Sequence, residues 1–352
     1  MKLLHVISSL EIGGAQRLLA DLLPLQAACN SVDLLVYERV DNDFERTIEQ
    51  AGVRIICLNE RSFYNPRVIF RMRNIFKKYD LVHIHLFPSV YWASLAARGL
   101  KVKLIYTEHS TSNSRRNKWY LRSVECFMYS RYDRIISISQ QTQDALISWL
   151  KQNDERFVVI NNGVDIRKFT SSKMPVMPKS LIMVSRFVPS KDQETVIKAM
   201  RLIDKDAIMY FVGDGENRIH CENLTKELGL FDRVFFLGSQ SDVVELIASS
   251  YIGIQSSNWE GFGLTAVELM AAGKPVIASN VEGLKQVVDG AGLIFENGNE
   301  VDLAHKISLL LNDKCYYEKI SRKCRNRASL YDITLMANDY KKLYCEIMGK
   351  VE

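Results

Sequence analysis

Short apolar runs alternate with longer amphipathic stretches along the whole chain. Lys2–Ile7 and Leu81–His85 are two of the short runs, and both consist largely of aliphatic residues. Buried strands separated by segments of helical period are typical of a parallel sheet that helices cover on both faces. The pattern therefore predicts an α/β fold.

The predicted strands share this short, apolar and often β-branched character. In chain order they are Lys2–Ile7, Ser31–Tyr37, Arg54–Leu58, Leu81–His85, Lys103–Thr107, Arg134–Ser137, Phe157–Ile160, Ser180–Val184, Ile208–Val212, Val234–Leu237, Tyr251–Gln255, Pro275–Ala278 and Gly292–Ile294.

The alternation is interrupted over Ile166–Lys179, where serines and two prolines oppose regular structure. A chain of 352 residues also suits two domains, because single cores seldom grow beyond ~250–300 residues. We therefore predict two doubly wound, Rossmann-like domains at residues 1–165 and 180–330, with residues 166–179 as a linker. Ligands of such sheets bind beyond the carboxyl ends of the strands, so the loops that follow strands hold the candidate chemistry.

The strand Tyr251–Gln255 is followed by the most informative of these loops. The loop carries Glu260, Gly261 and Gly263, and it leads into a helix that carries Glu268. Backbone N–H groups at a glycine-rich turn and a helix N-terminus attract oxyanions and hydroxyls. Two flanking carboxylates make the loop suited to a sugar nucleotide, although a glutamate near a helix start can also be a simple dipole partner.

Two further loops are candidate phosphate sites. Gly13 and Gly14 follow the first strand and begin a helix, but they lack the Gly-x-Gly-x-x-Gly spacing of a dinucleotide site, and a purely structural turn is the alternative. Arg186 and Lys191 lie five residues apart after another strand. An arginine fork and a lysine point charge at that spacing can hold one diphosphate, although loop cations are often only solvated.

Composition is that of an ordinary globular protein, with 47% hydrophobic and 25% charged residues. The seven cysteines form no Cys-x-x-Cys pair, which favours thiols in a reducing compartment over disulfides or a zinc site. Met1–Leu10 is interrupted by His5 and is interpreted as a first strand, not a signal peptide, and no apolar run reaches the ~18 residues of a membrane span.

No metal site is predicted. His83 and His85 share one face of a strand, but no third ligand at suitable spacing is visible. The Asp-x-Asp strings at 41–43 and 204–206 lie among polar residues and are interpreted as solvated turns.

The charge is unevenly distributed. The chain carries a net charge of +5, whereas residues 61–134 alone carry +11. Within them lie Ser114–Arg122, which mixes cations with Trp119 and Tyr120, and a predicted basic amphipathic helix that begins near Arg67. Such surfaces bind anionic membranes. Solvated helices are the alternative, and no nucleic-acid partner is predicted because no recognised motif accompanies the charge.

The string Glu260-Gly-Phe-Gly, followed by Glu268 and by Ala-x-Gly-x-Pro-Val, resembles the Glu-x7-Glu motif of retaining glycosyltransferases of family 4. The resemblance is strong over Asn161–Gly298 and thin over Asp21–Leu104. It implies the GT-B fold, in which the two domains face each other across a cleft and the last helix, here in residues 331–352, crosses back to the first domain. Gln286 departs from the family pattern, which has glutamate there.

The resemblance implies transfer of a hexosyl group from a nucleoside diphosphate sugar, UDP-linked, with retention and without metal or other cofactor. Arg186 and Lys191 would hold the diphosphate, Glu268 the ribose, and Glu260 and His109 the sugar. The implied catalytic residues are Glu260, His109, Arg186 and Lys191. The implied donor-binding residues are Gly13, Gly14, Arg186, Lys191, Gly213, Leu237, Gly261, Phe262, Gly263, Leu264 and Glu268.

The acceptor is predicted to be a lipid-linked or free saccharide in surface polysaccharide biosynthesis. The charge pattern then predicts a cytoplasmic protein that binds peripherally to the inner face of the membrane. A sugar-phosphate synthase or phosphorylase, a sugar-nucleotide epimerase and a non-catalytic GT-B partner protein remain as alternatives.

Overall fold

The computed structural model describes residues 1–11, 13–60, 62, 65–111, 114–171 and 174–349. The chain forms two compact units, Met1–Gly163 together with the chain from Ile333 onward, and Val164–Asp332. Every predicted strand is present, with bounds that differ by no more than one residue at either end.

The strands of the described chain fall into one sheet in each unit. They are β1 Lys2–Val6, β2 Ser31–Val36, β3 Arg54–Cys57, β4 Leu81–His85, β5 Lys103–Glu108, β6 Arg134–Ser137, β7 Phe157–Val159, β8 Ser180–Val184, β9 Ile208–Val212, β10 Val234–Phe236, β11 Ile252–Gln255, β12 Val276–Ser279 and β13 Leu293–Phe295.

The α-helices alternate with these strands through most of both units. They are α1 Gly14–Ala27, α2 Asp43–Gln50, α3 Arg67–Phe76, α4 Ser89–Ala96, α5 Leu121–Tyr129, α6 Gln140–Leu150, α7 Ile166–Thr170, α8 Gln193–Met200, α9 Arg218–Glu227, α10 Val244–Ser249, α11 Leu264–Ala271, α12 Glu282–Val288, α13 Glu300–Asn312, α14 Lys314–Ala328 and α15 Ile333–Ile347.

The first unit is built on a seven-stranded parallel sheet in the order β3-β2-β1-β4-β5-β6-β7. Helices cover both faces, and a separate apolar core lies on each. β4 is buried along its whole length, as expected for a central strand of a covered parallel sheet. The order reverses between β1 and β4, so the loops after these two strands flank the switch point where ligands of such sheets bind.

The last helix, α15, belongs to the first unit. It packs against α1 and contributes Met336, Tyr340 and Tyr344 to one of the two cores of that unit. The helix was predicted within residues 331–352, whereas the structure leaves Tyr331 in the second unit, where its carbonyl accepts a hydrogen bond from the amide of Val164 (2.8 Å).

The second unit contains a six-stranded parallel sheet in the order β10-β9-β8-β11-β12-β13. Its order reverses between β8 and β11, which are neighbours in the sheet. The Arg186 loop follows β8 and the Glu260 loop follows β11. The two loops singled out in this part of the sequence therefore leave the sheet side by side at its switch point.

The prediction that residues 166–179 form an irregular linker is wrong for its first part. Residues 166–170 form the short helix α7, and the side chain of Asp165 caps it by accepting a hydrogen bond from the amide of Arg167 (3.3 Å). Phe169 is buried, and α7 packs against α10 and α11. Ser172 of this predicted linker lies outside the described residues.

Candidate functional site

The Glu260 loop turns sharply before α11. Gly263 is the N-cap of that helix and has φ of +91°, a left-handed conformation that disfavours a side chain. The amide of Gly261 donates a hydrogen bond to the carboxylate of Glu260 (3.1 Å), and Leu264 begins the helix. The Glu260 side chain remains one-fifth exposed (20%). The loop thus holds a carboxylate at the surface beside a helix N-terminus.

The β8 and β11 loops are tied together through their backbones. Lys191 and Ser257 form an antiparallel bridge, and the amide of Asn258 donates to the carbonyl of Ser190 (2.9 Å). The Lys191 ammonium contacts the Glu260 carboxylate and lies 3.3 Å from the hydroxyl oxygen of Ser257. Lys191, which is predicted to bind the diphosphate, and Glu260, which is predicted to bind the sugar, therefore form an ion pair. Almost 70 residues separate them in the sequence.

The Arg186 side chain is exposed, whereas its backbone carbonyl is held by a hydrogen bond from a buried side chain. The buried amide of Gln193 donates to the carbonyl of Arg186 (3.0 Å) and lies 3.0 Å from the hydroxyl of Ser185. Asp192 caps α8 and also accepts a hydrogen bond from the hydroxyl of Ser256 (3.2 Å). Gln193 was not predicted from the sequence as a supporting residue. Its position immediately after a helix cap was the available signal.

Glu268 lies on α11 and is buried, with 5% of its surface exposed. Glu260 and Glu268 are thus both on the loop and helix after β11 but differ in exposure, which is compatible with the prediction that they act at different depths. The Phe262 side chain is also buried, and its ring lies edge-on to that of Tyr331 at a centroid distance of 5.3 Å. Any contact between Phe262 and a donor would therefore come from its backbone.

Gly213 is one of the donor-binding residues that the resemblance implies, and the close approach that the structure shows there is within the protein. A Cβ at Gly213, where φ is +134°, would lie 2.0 Å from the carbonyl oxygen of Ser185. The amide of Gly213 donates to the carbonyl of Gly238 (2.8 Å). The amide of Leu237, the residue before Gly238, donates to the carbonyl of Phe211 (2.9 Å). Gly213 consequently holds the β9 loop against the β8 loop.

In the first unit, Gly13 is the extended N-cap of α1 and Gly14 is the exposed first residue of that helix. A Cβ at Gly13 would meet the side-chain oxygen of Gln16 at 2.5 Å. The loop has the predicted form of a glycine turn at a helix N-terminus, although Ile12, which precedes it, lies outside the described residues.

His109 follows β5 and is partly buried; its Nε2 lies 3.1 Å from Nδ1 of His85. Burial lowers the pKa of His109 to about 4, so its imidazole is neutral at physiological pH. A neutral imidazole can offer a hydrogen bond to a sugar hydroxyl but carries no charge for a phosphate.

The prediction that His83 and His85 have no third potential metal ligand beside them is wrong, because the fold brings His5 next to them. His5 pairs with His83 across β1 and β4, and one ring nitrogen from each of the three buried histidines lies within 4.8 Å of the others. All the ring nitrogens of this group are nevertheless hydrogen-bonded to protein. The geometry is that of a hydrogen-bond network in which each of these ring nitrogens has a protein partner.

The Asp-x-Asp string at 204–206 is also engaged within the protein. Both Asp204 and Asp206 accept hydrogen bonds from Lys179, at 2.6 and 3.2 Å. The string at 41–43 leads into α2 with Asp43 as its first residue. Residues 204–206 form an exposed turn, as interpreted from the sequence, whereas Asp43 of the other string lies in the first turn of a helix and not in a solvated turn.

Two arginines of the predicted membrane-binding segment are structural. Arg115 pairs with Glu125 and Arg116 with Glu108, each at 2.9 Å, and all four side chains are largely buried. Burial raises the pKa of Glu108, while the Arg116 guanidinium opposes that rise. The exposed part of the surface is formed instead by Lys118, Trp119, Tyr120, Arg122 and Phe127.

Neither unit contains, within the described residues, a helix long and apolar enough to cross a bilayer.

Comparison with known proteins places this geometry in context. The model for Glycosyltransferase Family 4 matches residues 12–168, and that for Glycosyl transferases group 1 matches residues 165–328. A solved structure, Anabaena Alr3699/HepE in complex with UDP and glucose, is 22% identical, with a TM-score of 0.88 and coverage of 98% of this chain and 100% of that one. The fold is GT-B.

Curated relatives agree with the family models. N-acetyl-alpha-D-glucosaminyl L-malate synthase of Bacillus anthracis is 27% identical over 76% of this chain and 75% of its own length. UDP-Gal:alpha-D-GlcNAc-diphosphoundecaprenol alpha-1,3-galactosyltransferase of Escherichia coli is 25% identical over 93% of this chain and 96% of its own. The chain belongs to glycosyltransferase family 4, whose members transfer sugars from nucleotide sugars.

Proposed function

We propose that the chain transfers a hexosyl group from a UDP-sugar, with retention of anomeric configuration, to a hydroxyl of a lipid-linked sugar during assembly of a surface polysaccharide. The observation that carries this proposal is the pairing of Lys191 with Glu260 beside the Arg186 loop, at the switch point of the second sheet. The E. coli relative, named for a UDP-linked donor and a diphosphoundecaprenol acceptor, supports the choice of substrates.

In the proposed reaction, negative charge develops on the diphosphate as the bond to the sugar breaks. Arg186 and Lys191 stabilise this charge, and fixed cations aimed at a developing charge give a large gain in the transition state. Because two side chains supply the positive charge, the reaction needs no metal. Donor phosphate replaces Glu260 as the partner of Lys191, which leaves the carboxylate to accept hydrogen bonds from the sugar.

Glu268 and Glu260 are proposed to bind different parts of the donor, and single alanine variants separate them. Glu268→Ala should weaken binding of both UDP and UDP-sugar, because it removes the acceptor for the ribose hydroxyls. Glu260→Ala should leave the Kd for UDP within about twofold and abolish transfer, because its contact is with the group being moved. Calorimetric titration with UDP and a transfer assay measure the two effects.

Equal loss of UDP affinity in the two variants, or full turnover in either, would contradict the assignment.

The same transfer assay in the presence of EDTA tests the proposal that the reaction needs no metal. Activity should survive chelation, whereas activity that disappears with EDTA and returns with Mn²⁺ would show that a metal takes part.

The exposed surface formed by Lys118, Trp119, Tyr120, Arg122 and Phe127 is proposed to bind the cytoplasmic face of an anionic membrane. Trp119 and Phe127 are 83% and 50% exposed, and the aromatic rings lie close in sequence to two exposed cations. Amphipathic aromatic rings prefer the headgroup region, and each nearby cation contributes ~1 kcal/mol of attraction to an anionic surface.

The double variant Lys118→Glu with Arg122→Glu should therefore bind anionic vesicles at least about thirtyfold more weakly at ~0.1 M salt, with UDP binding unchanged. Lys319→Glu with Arg322→Glu makes the same charge change on exposed positions of α14 and should bind vesicles like the wild type. Vesicle co-sedimentation compares the variants.

The membrane proposal fails if the wild type ignores anionic vesicles, or if both double variants lose binding equally. A wild type that transfers equally well to a small soluble acceptor would favour a second candidate function, glycosylation of a small soluble molecule, which the malate-linked name of the B. anthracis relative suggests.

A further inference from the structure

Three imidazoles form a hydrogen-bonded chain across neighbouring strands of the first unit. Nε2 of His5 lies 2.7 Å from the side-chain oxygen of Gln26, and Nδ1 of His5 lies 2.9 Å from Nε2 of His85. Nδ1 of His85 then lies 3.1 Å from Nε2 of His109. This series of hydrogen bonds thus leads from the buried side-chain amide of Gln26 on α1 to the partly exposed ring of His109.

A neutral imidazole has one N–H donor and one bare acceptor nitrogen, so the direction of the first hydrogen bond fixes all the others. If the Gln26 oxygen accepts from Nε2 of His5, then Nδ1 of His5 accepts from Nε2 of His85. Nδ1 of His85 must in turn accept from Nε2 of His109. The proton of His109 is therefore on Nε2, and its Nδ1 is the acceptor.

The orientation of the Gln26 amide decides the direction of the whole chain. The contact to His5 at 2.7 Å is at the short end for an N–H···O hydrogen bond, as expected if oxygen faces the ring. The other end of the amide, its nitrogen, lies 3.4 Å from the hydroxyl of Tyr344 and donates to it. Tyr344 can then donate to Nδ1 of His83 (2.6 Å), whose Nε2 donates to Thr107 (2.7 Å).

This series of hydrogen bonds requires that each imidazole is neutral, and burial of the rings keeps them neutral. It lowers the pKa of His5 to about 4 and that of His85 well below its usual value. His109 has a pKa of about 4 for the same reason. Among the described residues, none forms a hydrogen bond with Nδ1 of His109, and the ring is not fully buried.

We propose that Gln26, His5 and His85 are positioning residues that hold His109 in the Nε2–H tautomer, so that its Nδ1 accepts a hydrogen bond from a hydroxyl of the transferred sugar. The tautomer follows from the first unit alone, whereas the contact with the sugar rests on the proposed function. A ring held in this way cannot donate a proton from Nδ1, which excludes His109 as an acid at that atom and makes it selective for a hydroxyl.

Nitrogen NMR of the histidine-labelled full chain reads the tautomers directly. Single His→Gln variants assign the signals, and exposed His305 serves as an internal reference that is outside the network. We expect the Nε2–H tautomer for His5, His85 and His109 in the wild type. A His109 that carries its proton on Nδ1 would mean that the Gln26 amide is reversed, and it would overturn the proposal.

Two variants at Gln26 test the control of His109 from a distance of three hydrogen bonds. Gln26→Leu removes the acceptor and should give His109 a mixture of tautomers. Gln26→Glu retains an oxygen acceptor and should preserve the Nε2–H form. An unchanged His109 signal in Gln26→Leu would show that the chain does not set its tautomer.

Kinetics separate this inference from the proposed function. Gln26→Leu should reduce kcat for transfer about two- to tenfold, leave the Kd for UDP unchanged, and be rescued in Gln26→Glu. Ordered tautomers in a protein without transferase activity would contradict the proposed function alone. Full activity in Gln26→Leu with mixed tautomers would show that the chain orders His109 without serving the reaction, and it would overturn the catalytic part of the inference.

Discussion

Replacing Lys191 with alanine should reduce the rate of sugar transfer about 100- to 1000-fold while the second unit stays folded. The ammonium is placed by its backbone bridge to Ser257 and by the neighbouring Glu260 carboxylate, so it is oriented before the leaving group becomes charged. Lys191→Arg should recover part of the rate, because it restores charge with different geometry.

Lys198→Ala is the matched control, because Lys198 lies on the adjacent helix α8 and pairs with the surface residue Glu194 at 3.4 Å. Its rate should stay within twofold of the wild type. Steady-state transfer assays and circular dichroism compare the variants. Wild-type turnover in Lys191→Ala would contradict the proposed role, and loss of the fold in that variant would assign the lysine to stability instead.

Gly283→Ala should lower both stability and transfer, although alanine normally stabilises a helix by ~0.5–1 kcal/mol relative to glycine. Gly283 lies in the first turn of α12, and a Cβ there would lie 2.2 Å from the carbonyl oxygen of Glu260. Either α12 or the Glu260 loop must move to relieve the overlap. Such overpacking costs about 1–3 kcal/mol.

Thermal unfolding should show a lower Tm for Gly283→Ala, and transfer should fall at least about tenfold because the displaced loop carries Glu260. Lys285→Ala, at an exposed position of the same helix, controls for the helix itself and should leave both quantities near the wild type. A stabilised and fully active Gly283→Ala would show that the two segments can separate without consequence for the site.

The strands could be predicted because each central strand of a covered parallel sheet is a short apolar run with clear ends. The helix α7 could not, because its stability comes from the burial of Phe169 against other helices of the second unit, which no local pattern reveals. The serines and prolines farther along residues 166–179 led to the prediction of an irregular linker over the whole stretch.

The candidate site could be predicted as far as each loop carries its own motif. Glu260 and Lys191 were both predicted as candidate site residues, but their pairing depends on β8 and β11 being neighbours. His5 was overlooked for the same reason, since only the β1–β4 pairing brings it to His83. Arg115 and Arg116 were assigned to the surface because the sequence pattern did not show that Glu125 and Glu108 would be buried beside them.

The return of α15 to the first unit constrains how the protein is made. Tyr340 and Tyr344 leave the ribosome only after all of Val164–Asp332 has been synthesised. Until then, His83 and Gln26 lack their tyrosine partner and one core of the first unit lacks a helix. The second unit is continuous in sequence and can fold during translation as soon as it emerges. The unit that begins synthesis first is therefore the one whose folding is completed last.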